Sequence, residues 1–370
     1  MSKNTREKTT ILYMGCFELP DKNAAAQRVI GNAKALRSIG YNVLFLNTPE
    51  KAESKKMKKV TYLGFTCYEM ERINKVDHIL IGRQAISAIK YLKPNAIIAY
   101  NYPAIAMSNI LLYCKKHSIK CYADLTEWYL PSGSNIYHKA VRAVDTALRM
   151  KWISPKSDGI IAISRYLFNY YKDKTKTILI PPLVDITEKK WNSSKEISPE
   201  TTSFIYAGSP DSIKERLDLI IEAFNEIAVE KKVKLHIVGI TENEFRREYK
   251  YADKIDENVT FRGRVTHEKA VELVSNSDWA IVIRDQNLVV TAGFPTKVAE
   301  AISCGTPVLA NNFSNIFEYL DDSNSIQTEI ADIKTNMLKA CEKRVHPDKS
   351  IFDYHGYISG FQELFETTLC

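Results

Sequence analysis

The chain alternates short, β-rich apolar runs with helix-like segments, and this pattern limits the possible folds more than any other feature. In the first half, such runs begin at six residues: Thr10, Asn42, Ala96, Lys120, Gly159 and Thr177. Their apolar residues follow one another without strict polar alternation, which is typical of strands buried on both faces of a parallel sheet. Helix-like stretches such as 24–39 and 104–117 separate them. Strands and helices in alternation predict an α/β unit with right-handed crossovers.

The pattern breaks at residues 180–185, Ile-Pro-Pro-Leu-Val-Asp, and starts again at Ser203. Two successive prolines cannot continue a helix or a central strand, and the segment that follows them is polar. Helix-like segments then separate four further strand-like runs, which begin at Lys234, Val259, Trp279 and Pro307. A chain of 370 residues is also longer than one hydrophobic core usually serves.

We therefore predict an α/β protein of two Rossmann-like, doubly wound domains that face a central cleft. Residues 1–185 would form the first domain and residues 186–350 the second. Residues 351–370 would form a C-terminal helix that packs back toward the first domain. Doubly wound sheets bind ligands beyond the carboxyl ends of their strands, so the expected site lies in the cleft.

The net charge of +7 is divided unevenly along the chain. Residues 1–185 contain 29 Lys and Arg against 14 Asp and Glu, whereas residues 186–370 contain 22 against 30. The basic half predicts contact with an anionic partner such as a membrane surface or a phosphorylated lipid, and the alternative is a solvated lysine-rich surface. Residues 139–152 fit an amphipathic helix that could rest on the inner membrane leaflet or pack as an ordinary surface helix.

No apolar run approaches the roughly 20 residues of a membrane span, and the first apolar run is too short for the core of a signal peptide. We therefore expect a cytoplasmic chain that can associate with the cytoplasmic face of a membrane. The seven cysteines are scattered and form no Cys-x-x-Cys, which argues against a disulfide framework and against a structural zinc site.

The most informative stretch, residues 293–310, reads GFPTKVAEAISCGTPVLA. A glycine-containing loop precedes a helix that starts near Thr296, and the free amides and dipole of a helix start favour an anion. Lys297 adds a positive charge at the same place. Glu300 lies about one turn further, where a carboxylate can bind neighbouring hydroxyls such as those of a ribose. The alternative is an ordinary helix with a surface Glu and Lys.

This stretch resembles the donor-binding motif of glycosyltransferase family 4, in which two glutamates spaced E-x7-E surround a Gly-Phe loop. The resemblance implies that Glu300 binds the ribose of a nucleotide-sugar. It further implies that a backbone segment holds the donor diphosphate or sugar: Gly293, Phe294, Pro295 and Thr296. Ala292 stands where the family has its first glutamate, which contacts the donor sugar.

A second stretch, residues 205–224, resembles the family's G-R-L-x-x-x-K-G-x-D-x-L-I-x-A-F, whose Arg and Lys neutralise the leaving diphosphate. Ser209 occupies the Arg position and Glu215 the Lys position, while Lys214 and Arg216 flank it. The resemblance implies Gly208, Ser209 and Arg216 as donor contacts. It implies Lys214, together with Lys297, as the catalytic cations. The alternative for this stretch is a solvated helix start.

Two more elements of the second half fit the same family. Residues 263–265, Gly-Arg-Val, resemble its G-x-V element, which implies that the backbone near Arg264 and Val265 contacts the nucleotide base. Arg284 ends a strand-like run and either supplies a cation for the diphosphate or is an ordinary surface arginine.

The first half supplies the predicted acceptor side. The family places acceptor and phosphate contacts in the loop 15–28, which implies Gly15 and Arg28 as acceptor-binding residues; the alternative is a solvent-facing helix start. Asp124 and Glu127 precede Trp128 and Tyr129 after a strand-like run. Carboxylates and aromatic rings at a strand end are typical of a sugar site, so we predict both carboxylates as catalytic, with helix capping as the alternative.

The resemblance implies a retaining GT-B hexosyltransferase that moves a sugar from a UDP- or GDP-sugar to a glycan or lipid-linked acceptor in bacterial surface polysaccharide synthesis. The chain lacks Asp-x-Asp, a metal-binding motif of another glycosyltransferase fold, so we expect neither metal nor cofactor. An inactive sugar-binding scaffold and a nucleotide-sugar epimerase are the alternatives. A nicotinamide dehydrogenase would need G-x-G-x-x-G after the first strand, and nucleic-acid binding would need a basic–aromatic motif; the sequence has neither.

Overall fold

A computed structural model describes residues 9–20, 23–49, 56–71, 82–129, 136–192 and 200–369. The chain divides into two compact units, Met1–Leu183 with Tyr357–Cys370, and Val184–Gly356. Each unit is built on its own mostly parallel sheet. Within the described ranges, no helix is both long enough and apolar enough to cross a membrane.

The sheet of the first unit has eight strands: β1 Thr10–Gly15, β2 Asn42–Asn47, β3 Lys58–Tyr62, β4 Phe65–Glu69, β5 Ala96–Tyr100, β6 Lys120–Leu125, β7 Gly159–Ala162 and β8 Thr177–Leu179. Their order across the sheet is β3-β4-β2-β1-β5-β6-β7-β8. All neighbours are parallel except β3 and β4, which form an antiparallel pair at the edge. Strands β1, β5 and β7 are almost wholly buried, as their unbroken apolar runs predict.

In the described part of this unit, five helices connect the strands: α1 Ala24–Ser38, α2 Arg83–Leu92, α3 Ala104–Lys116, α4 Ile136–Leu148 and α5 Arg165–Tyr171. The side chain of Asn23 accepts a hydrogen bond from the Ala26 amide and so caps the start of α1. A π-helical turn, Arg149–Ile153, follows α4 directly.

The second unit contains six parallel strands: β9 Thr202–Ala207, β10 Val233–Val238, β11 Val259–Phe261, β12 Trp279–Val282, β13 Val308–Asn311 and β14 Ser325–Thr328. Six helices accompany them among the residues described for this unit: α6 Leu217–Ala228, α7 Glu242–Glu248, α8 His267–Ser275, α9 Leu288–Ala292, α10 Thr296–Cys304 and α11 Ile333–Glu342. The strand order is β11-β10-β9-β12-β13-β14, which is 3-2-1-4-5-6 within the unit and therefore the doubly wound order.

The last helix, α12 Ile358–Leu369, belongs to the first unit. Its Phe365 packs against the rings of Tyr41 and Tyr122, with ring centroids 5.8 and 4.4 Å away. The prediction of an α/β protein with two doubly wound domains is confirmed.

Candidate active site

The sheet of the second unit changes its winding direction between β9 and β12, the first and fourth strands of that unit. Ligands of doubly wound proteins bind at this point, beyond the carboxyl ends of the strands. Gly208 follows β9, Gly239 follows β10, and Arg284 lies two residues beyond the end of β12. The candidate site is therefore built from residues that the strand order brings to one edge of the sheet.

Glycines allow the loops at this edge to approach one another closely. The Gly239 amide donates to the Gly263 carbonyl across 2.7 Å, and the Gly208 amide donates to the Val238 carbonyl across 3.1 Å. Gly208 and Gly239 have φ values of +147° and +107°, which other residues rarely adopt. A Cβ atom on Gly239 would lie only 2.0 Å from the Gly208 oxygen. Both positions therefore require glycine.

Four side chains form a buried charged group at the β9–β12 junction, here named the Glu215 cluster: Tyr206, Glu215, Arg284 and Lys297. The Lys297 Nζ donates to the Glu215 Oε1 across 2.9 Å and to the Tyr206 hydroxyl across 2.7 Å. The Arg284 Nη2 donates to the same Oε1 across 2.5 Å. One carboxylate thus holds two cations, and the cluster keeps a net positive charge.

The backbone fixes this arrangement. Glu215 and Arg284 are paired as an isolated antiparallel bridge, and the Arg216 amide donates to the Ile283 carbonyl across 2.9 Å. The loop after β9 is thereby attached to the residues that follow β12. Because the backbone holds both residues together, the ion pair forms without further closure of the intervening chain.

Burial and charge shift the pKa values of the cluster in opposite ways. Burial alone would raise the pKa of Glu215, but Lys297 and Arg284 overcome it and lower that pKa to about 2. Burial lowers the pKa of Lys297 to about 8, although Glu215 acts against this shift. Burial, with the charge of Glu215, raises the pKa of Tyr206 well above its usual value. At neutral pH the carboxylate is ionised and the phenol is neutral.

Helix α10 adds a second source of positive potential. It begins after Pro295, and among the described residues no side chain caps its first amides. Uncapped amides and the helix dipole favour an anion at this end. Lys297 is the second residue of this helix, so the cluster and the helix start lie side by side.

Glu300 lies three residues beyond Lys297, on the same helix. Its Oε1 is 3.4 Å from the Nε2 of His267, the first residue of α8. Both side chains are partly exposed, and the Trp191 ring lies 6.5 Å from the imidazole. The structure therefore places the predicted ribose-binding carboxylate beside a histidine.

The other predicted donor residues of this unit differ in their surroundings. The Arg216 Nη2 pairs with the Asp218 Oδ2 at 2.8 Å, and its Nη1 lies 3.3 Å from Asp285. Because two carboxylates neutralise it, Arg216 is a poorer diphosphate ligand than the cluster cations. Lys214 is half-buried next to Glu215, and Ser209 is exposed.

Three further donor-binding predictions fall near the same edge. The side chain of Arg264 is exposed, with its Nη1 3.8 Å from Glu244, and Val265 is half-buried. The Phe294 ring packs in the core against Tyr319 and Phe352, so only its backbone is available to a ligand.

In the first unit, Arg28 and Asp124 form a buried ion pair. The Arg28 Nη2 and Nε donate to the Asp124 Oδ1 across 2.7 and 2.9 Å, and the Nη1 donates to the Ile180 carbonyl. The Tyr13 hydroxyl donates to the Asp124 Oδ2. Arg28 and Asp124 are 2% and 0% exposed. Because a buried guanidinium must be neutralised locally, this pairing favours a structural role for both side chains. The roles of Arg28 as an acceptor contact and of Asp124 as a catalytic group stay predictions.

Part of the second unit is similar to a family of known proteins, and the whole fold is similar to several solved structures. Residues 201–344 match the family described as "Glycosyl transferases group 1". Three similar solved structures are a sucrose-phosphate synthase from Thermosynechococcus elongatus, Anabaena Alr3699/HepE with UDP and glucose, and the lipopolysaccharide outer core galactosyltransferase WaaB. Their identities to the chain are 14%, 13% and 15%, with TM-scores of 0.65, 0.65 and 0.61. In the same order, the alignments cover 98%, 97% and 97% of this chain. They cover 96%, 100% and 99% of the three similar chains.

The chain has the GT-B fold. Residues 201–344 match the group 1 glycosyltransferases, which agrees with the family resemblance drawn from the sequence. No curated protein matches the chain in sequence.

The sequence alone did not identify two candidate functional residues of this GT-B protein, Glu215 and His267. Glu215 was identified only as a departure from the family lysine, although that departure marked the centre of the charged cluster. His267 lies two residues after Val265, and its proximity to Glu300 joins two helices that are 20 or more residues apart in the chain. A lone histidine after a capping Thr266 gave no signal of that contact.

Two acceptor-side predictions lie in the first unit of the GT-B fold. Gly15 ends β1 in a buried position, and its carbonyl accepts from the Thr48 amide across 2.9 Å. Glu127 is half-buried, and its carbonyl accepts from the Arg149 Nη2 across 3.4 Å. Glu127 is thus the more accessible of the two predicted catalytic carboxylates, since Asp124 is buried in its ion pair.

Proposed function

We propose that this protein transfers a hexose from a UDP- or GDP-sugar to a glycan or lipid-linked acceptor, with retention of anomeric configuration. The observation that carries the proposal is the Glu215 cluster, two cations on one carboxylate, beside the uncapped start of α10. Both lie at the winding reversal of a doubly wound sheet within a group 1 glycosyltransferase domain.

The diphosphate of the donor would bind at this positive end. Lys297, Arg284 and the first amides of α10 would stabilise the charge that develops on the leaving nucleoside diphosphate. Cationic side chains would thus supply the charge balance without a metal ion. Lys214, next to Glu215 in the loop after β9, would contribute a further cation from a more exposed position.

Glu215 would act as a positioning residue. The family has a lysine at this place in the chain, whereas here the loop supplies a carboxylate that gathers Lys297 from α10 and Arg284 from beyond β12. Lys297 and Arg284 would therefore supply the positive charge of the family's lysine from other positions in the chain. Ser209 and Ala292, the two other departures from the motif, leave these two cations as the main charge partners of the diphosphate.

Glu300 would bind the ribose of the nucleotide, because it lies one turn from Lys297 and remains partly exposed. The backbone near Arg264 and Val265 would contact the base. The structure of Anabaena Alr3699/HepE contains UDP and glucose, which favours a UDP-hexose as the first donor to test.

The acceptor would meet the first unit near Glu127, Trp128 and Tyr129. The similarity to a lipopolysaccharide galactosyltransferase favours a role in bacterial surface polysaccharide synthesis. In the transfer, the bond from the anomeric carbon to the diphosphate breaks and the acceptor oxygen bonds to that carbon on the same face. The acceptor proton leaves with the departing diphosphate. The protein mainly positions the reactants and stabilises charge.

The test begins with thermal-shift screening of the chain against UDP-, GDP-, ADP- and CMP-sugars. A donor present at about 100 times its Kd should add about 2.7 kcal/mol of stability, which a melting curve resolves. Product NMR should then show the anomeric configuration of the donor. A chain that binds no nucleotide-sugar refutes the proposal, binding without transfer or hydrolysis identifies a sugar-binding scaffold, and an altered sugar without acceptor identifies an epimerase.

A further inference from the structure

Helix α4 presents an apolar face to solvent. Ile136 and Val144 are 84% and 58% exposed, and the exposed residues Ala140 and Val141 lie beside them. The spacing of Ile136, Ala140 and Val144 is four residues, so the three lie along one face of the helix. We name these four residues the α4 face.

Polar contacts on the opposite side hold the helix in this orientation. The Asp145 Oδ1 accepts from the Ala104 amide across 2.8 Å at the start of α3. Just beyond α4, the buried Arg149 donates from its Nη1 to the Asn101 carbonyl across 3.1 Å. Asp145 and Arg149 therefore point into the unit, whereas Ile136 and Val144 point outward.

Neighbouring elements extend the apolar character. Trp152, in the π-helical turn that follows α4, is 64% exposed. Helix α3, which packs against α4, exposes Ile105 and Leu112. An exposed tryptophan is typical of a surface that meets the boundary between lipid headgroups and acyl chains.

The charges around the α4 face are positive. Residues 136–156 contain five Lys and Arg and one acidic residue, Asp145, whose carboxylate is bonded inward. Lys139, Lys151 and Lys156 are exposed. Arg142 lies over the Tyr129 ring, with its Cζ 5.8 Å from the centroid. The surface is thus complementary to an anionic partner.

We propose that the α4 face binds an anionic phospholipid surface. Ile136, Val144 and Trp152 would enter the outer part of the acyl region, and Lys139 and Lys151 would contact lipid phosphates. An amphipathic helix with aliphatic and tryptophan residues on one side and lysines at its border binds membranes in this way. The proposal does not depend on donor binding, since none of these residues belongs to the donor site.

The experiment is sedimentation of the full chain with vesicles of phosphatidylcholine alone and of an equal mixture with phosphatidylglycerol, together with tryptophan fluorescence. We expect binding to the mixed vesicles at low salt, a blue shift of the emission, and release by added salt. Trp152→Phe should abolish the blue shift. Lys139→Glu with Lys151→Glu should weaken binding by about fivefold for each lysine, because each charge near the membrane contributes about 1 kcal/mol.

Matched variants separate the α4 face from surface properties in general. Ile136→Ser with Val144→Ser should abolish binding, whereas Val229→Ser, at a residue of the second unit that is 86% exposed, should leave it unchanged. Lys232→Glu, in the second unit, is the charge control. The proposal is overturned if mixed vesicles do not bind, or if the serine variant binds as wild type. It is equally overturned if the chain forms a dimer that the serine variant dissociates, since the face would then join two copies.

Discussion

Lys297 donates a hydrogen bond from its Nζ to the Oε1 of Glu215 across 2.9 Å, and the accepting carboxylate stands where the family motif has its own lysine. The carboxylate does not replace the charge of that lysine. It instead organises two cations that come from distant parts of the chain. Buried ion pairs rarely add much stability over apolar packing, yet removing one partner leaves an uncompensated charge. Neutralising Glu215 should therefore reduce the stability of the fold.

Glu215→Gln should lower the free energy of unfolding of the second unit by about 3 kcal/mol at neutral pH. For a unit of this size, this loss corresponds to a fall in melting temperature of about 6–12 °C. Calorimetry at pH 7 measures it. Because the folded-state pKa of Glu215 is lowered from 4.5 to about 2, its charge stabilises the fold above pH 4.5 and loses this effect as the pH falls toward 2. The difference between variant and wild type should therefore shrink over that interval.

Glu226→Gln is the matched control for this substitution. Glu226 pairs with Lys334 at 3.1 Å, but both side chains are largely exposed. An exposed pair contributes about 0–1 kcal/mol, so its loss should be barely measurable. Equal effects of the two substitutions would show that the burial of Glu215 has no energetic role.

Donor affinity should depend on the ionisation of Lys297. Burial lowers its pKa from 10.5 to about 8, and a bound diphosphate would favour the protonated form. The Kd of the nucleoside diphosphate should therefore rise above pH 8, by about tenfold for each pH unit. Isothermal titration calorimetry across this range gives the Kd, and repetition in buffers of different ionisation enthalpy should reveal proton uptake.

Lys297→Arg provides the control, because arginine keeps its proton throughout this range. The variant should bind with little pH dependence between pH 7 and 9.5. A depressed lysine pKa also means that the fold gains stability as the pH rises from 8 to 10.5. Loss of affinity in this window therefore cannot arise from unfolding through Lys297. An unchanged pH profile in Lys297→Arg would assign the ionisation to another group.

The two loop glycines should differ in their tolerance of a methyl group. Gly208→Ala places Cβ 3.0 Å from the Lys297 Cε at a φ of +147°, so it should destabilise by about 1–3 kcal/mol and weaken donor binding. Gly239→Ala should be worse, because its Cβ would meet the Gly208 oxygen, which is backbone and cannot move aside. Thermal melts and donor titrations measure both effects.

Gly356→Ala is the control for the glycine series. Nothing lies within 4 Å of the position where its Cβ would be built, so the change in stability should stay within about 0.5 kcal/mol. If Gly239→Ala were as stable as Gly356→Ala, the loops would not be as closely spaced as described.

Elements with unbroken apolar runs were predictable from the sequence. Strand β5 occupies Ala96–Tyr100, the same residues as its predicted run, and α10 begins at Thr296, its predicted start. The edge strand β3 and its neighbour β4 gave no such signal, because both are partly exposed and β3 begins with two lysines. The local sequence pattern therefore predicts strands that are buried on both faces well, and it predicts partly exposed strands poorly.

The candidate site was predictable only in part, because its contacts join residues that are distant in the chain. Glu215 lies 69 residues from Arg284 and 82 from Lys297. Arg28 lies 96 residues from Asp124. Motif comparison identified Lys297 and Glu300, which share one helix. It could not show that one carboxylate would bind two cations, or that another would neutralise a buried arginine.

The Arg28–Asp124 pair should be strongly coupled. Asp124→Ala leaves a buried guanidinium without its counter-charge and should cost about 3–5 kcal/mol. Arg28→Leu with Asp124→Ala should cost less than the sum of the single changes, with a coupling of about 0.5–3 kcal/mol. Denaturant unfolding of the four chains gives this cycle. If the losses of unfolding free energy in the two single variants added up to that of the double variant, the two side chains would not interact. That result would favour a ligand-binding role for each.

Glu300 should distinguish a nucleotide from a bare diphosphate. A carboxylate that accepts from ribose hydroxyls contributes about 1.5–3 kcal/mol, so Glu300→Ala should weaken nucleoside diphosphate binding by about 10–150-fold. Inorganic pyrophosphate, which lacks the ribose, should bind the variant as well as wild type. A 2′,3′-dideoxy nucleotide should bind wild type weakly and lose no further affinity in the variant. If pyrophosphate weakened equally, Glu300 would be acting on the diphosphate through the neighbouring Lys297, and the ribose assignment would have to be abandoned.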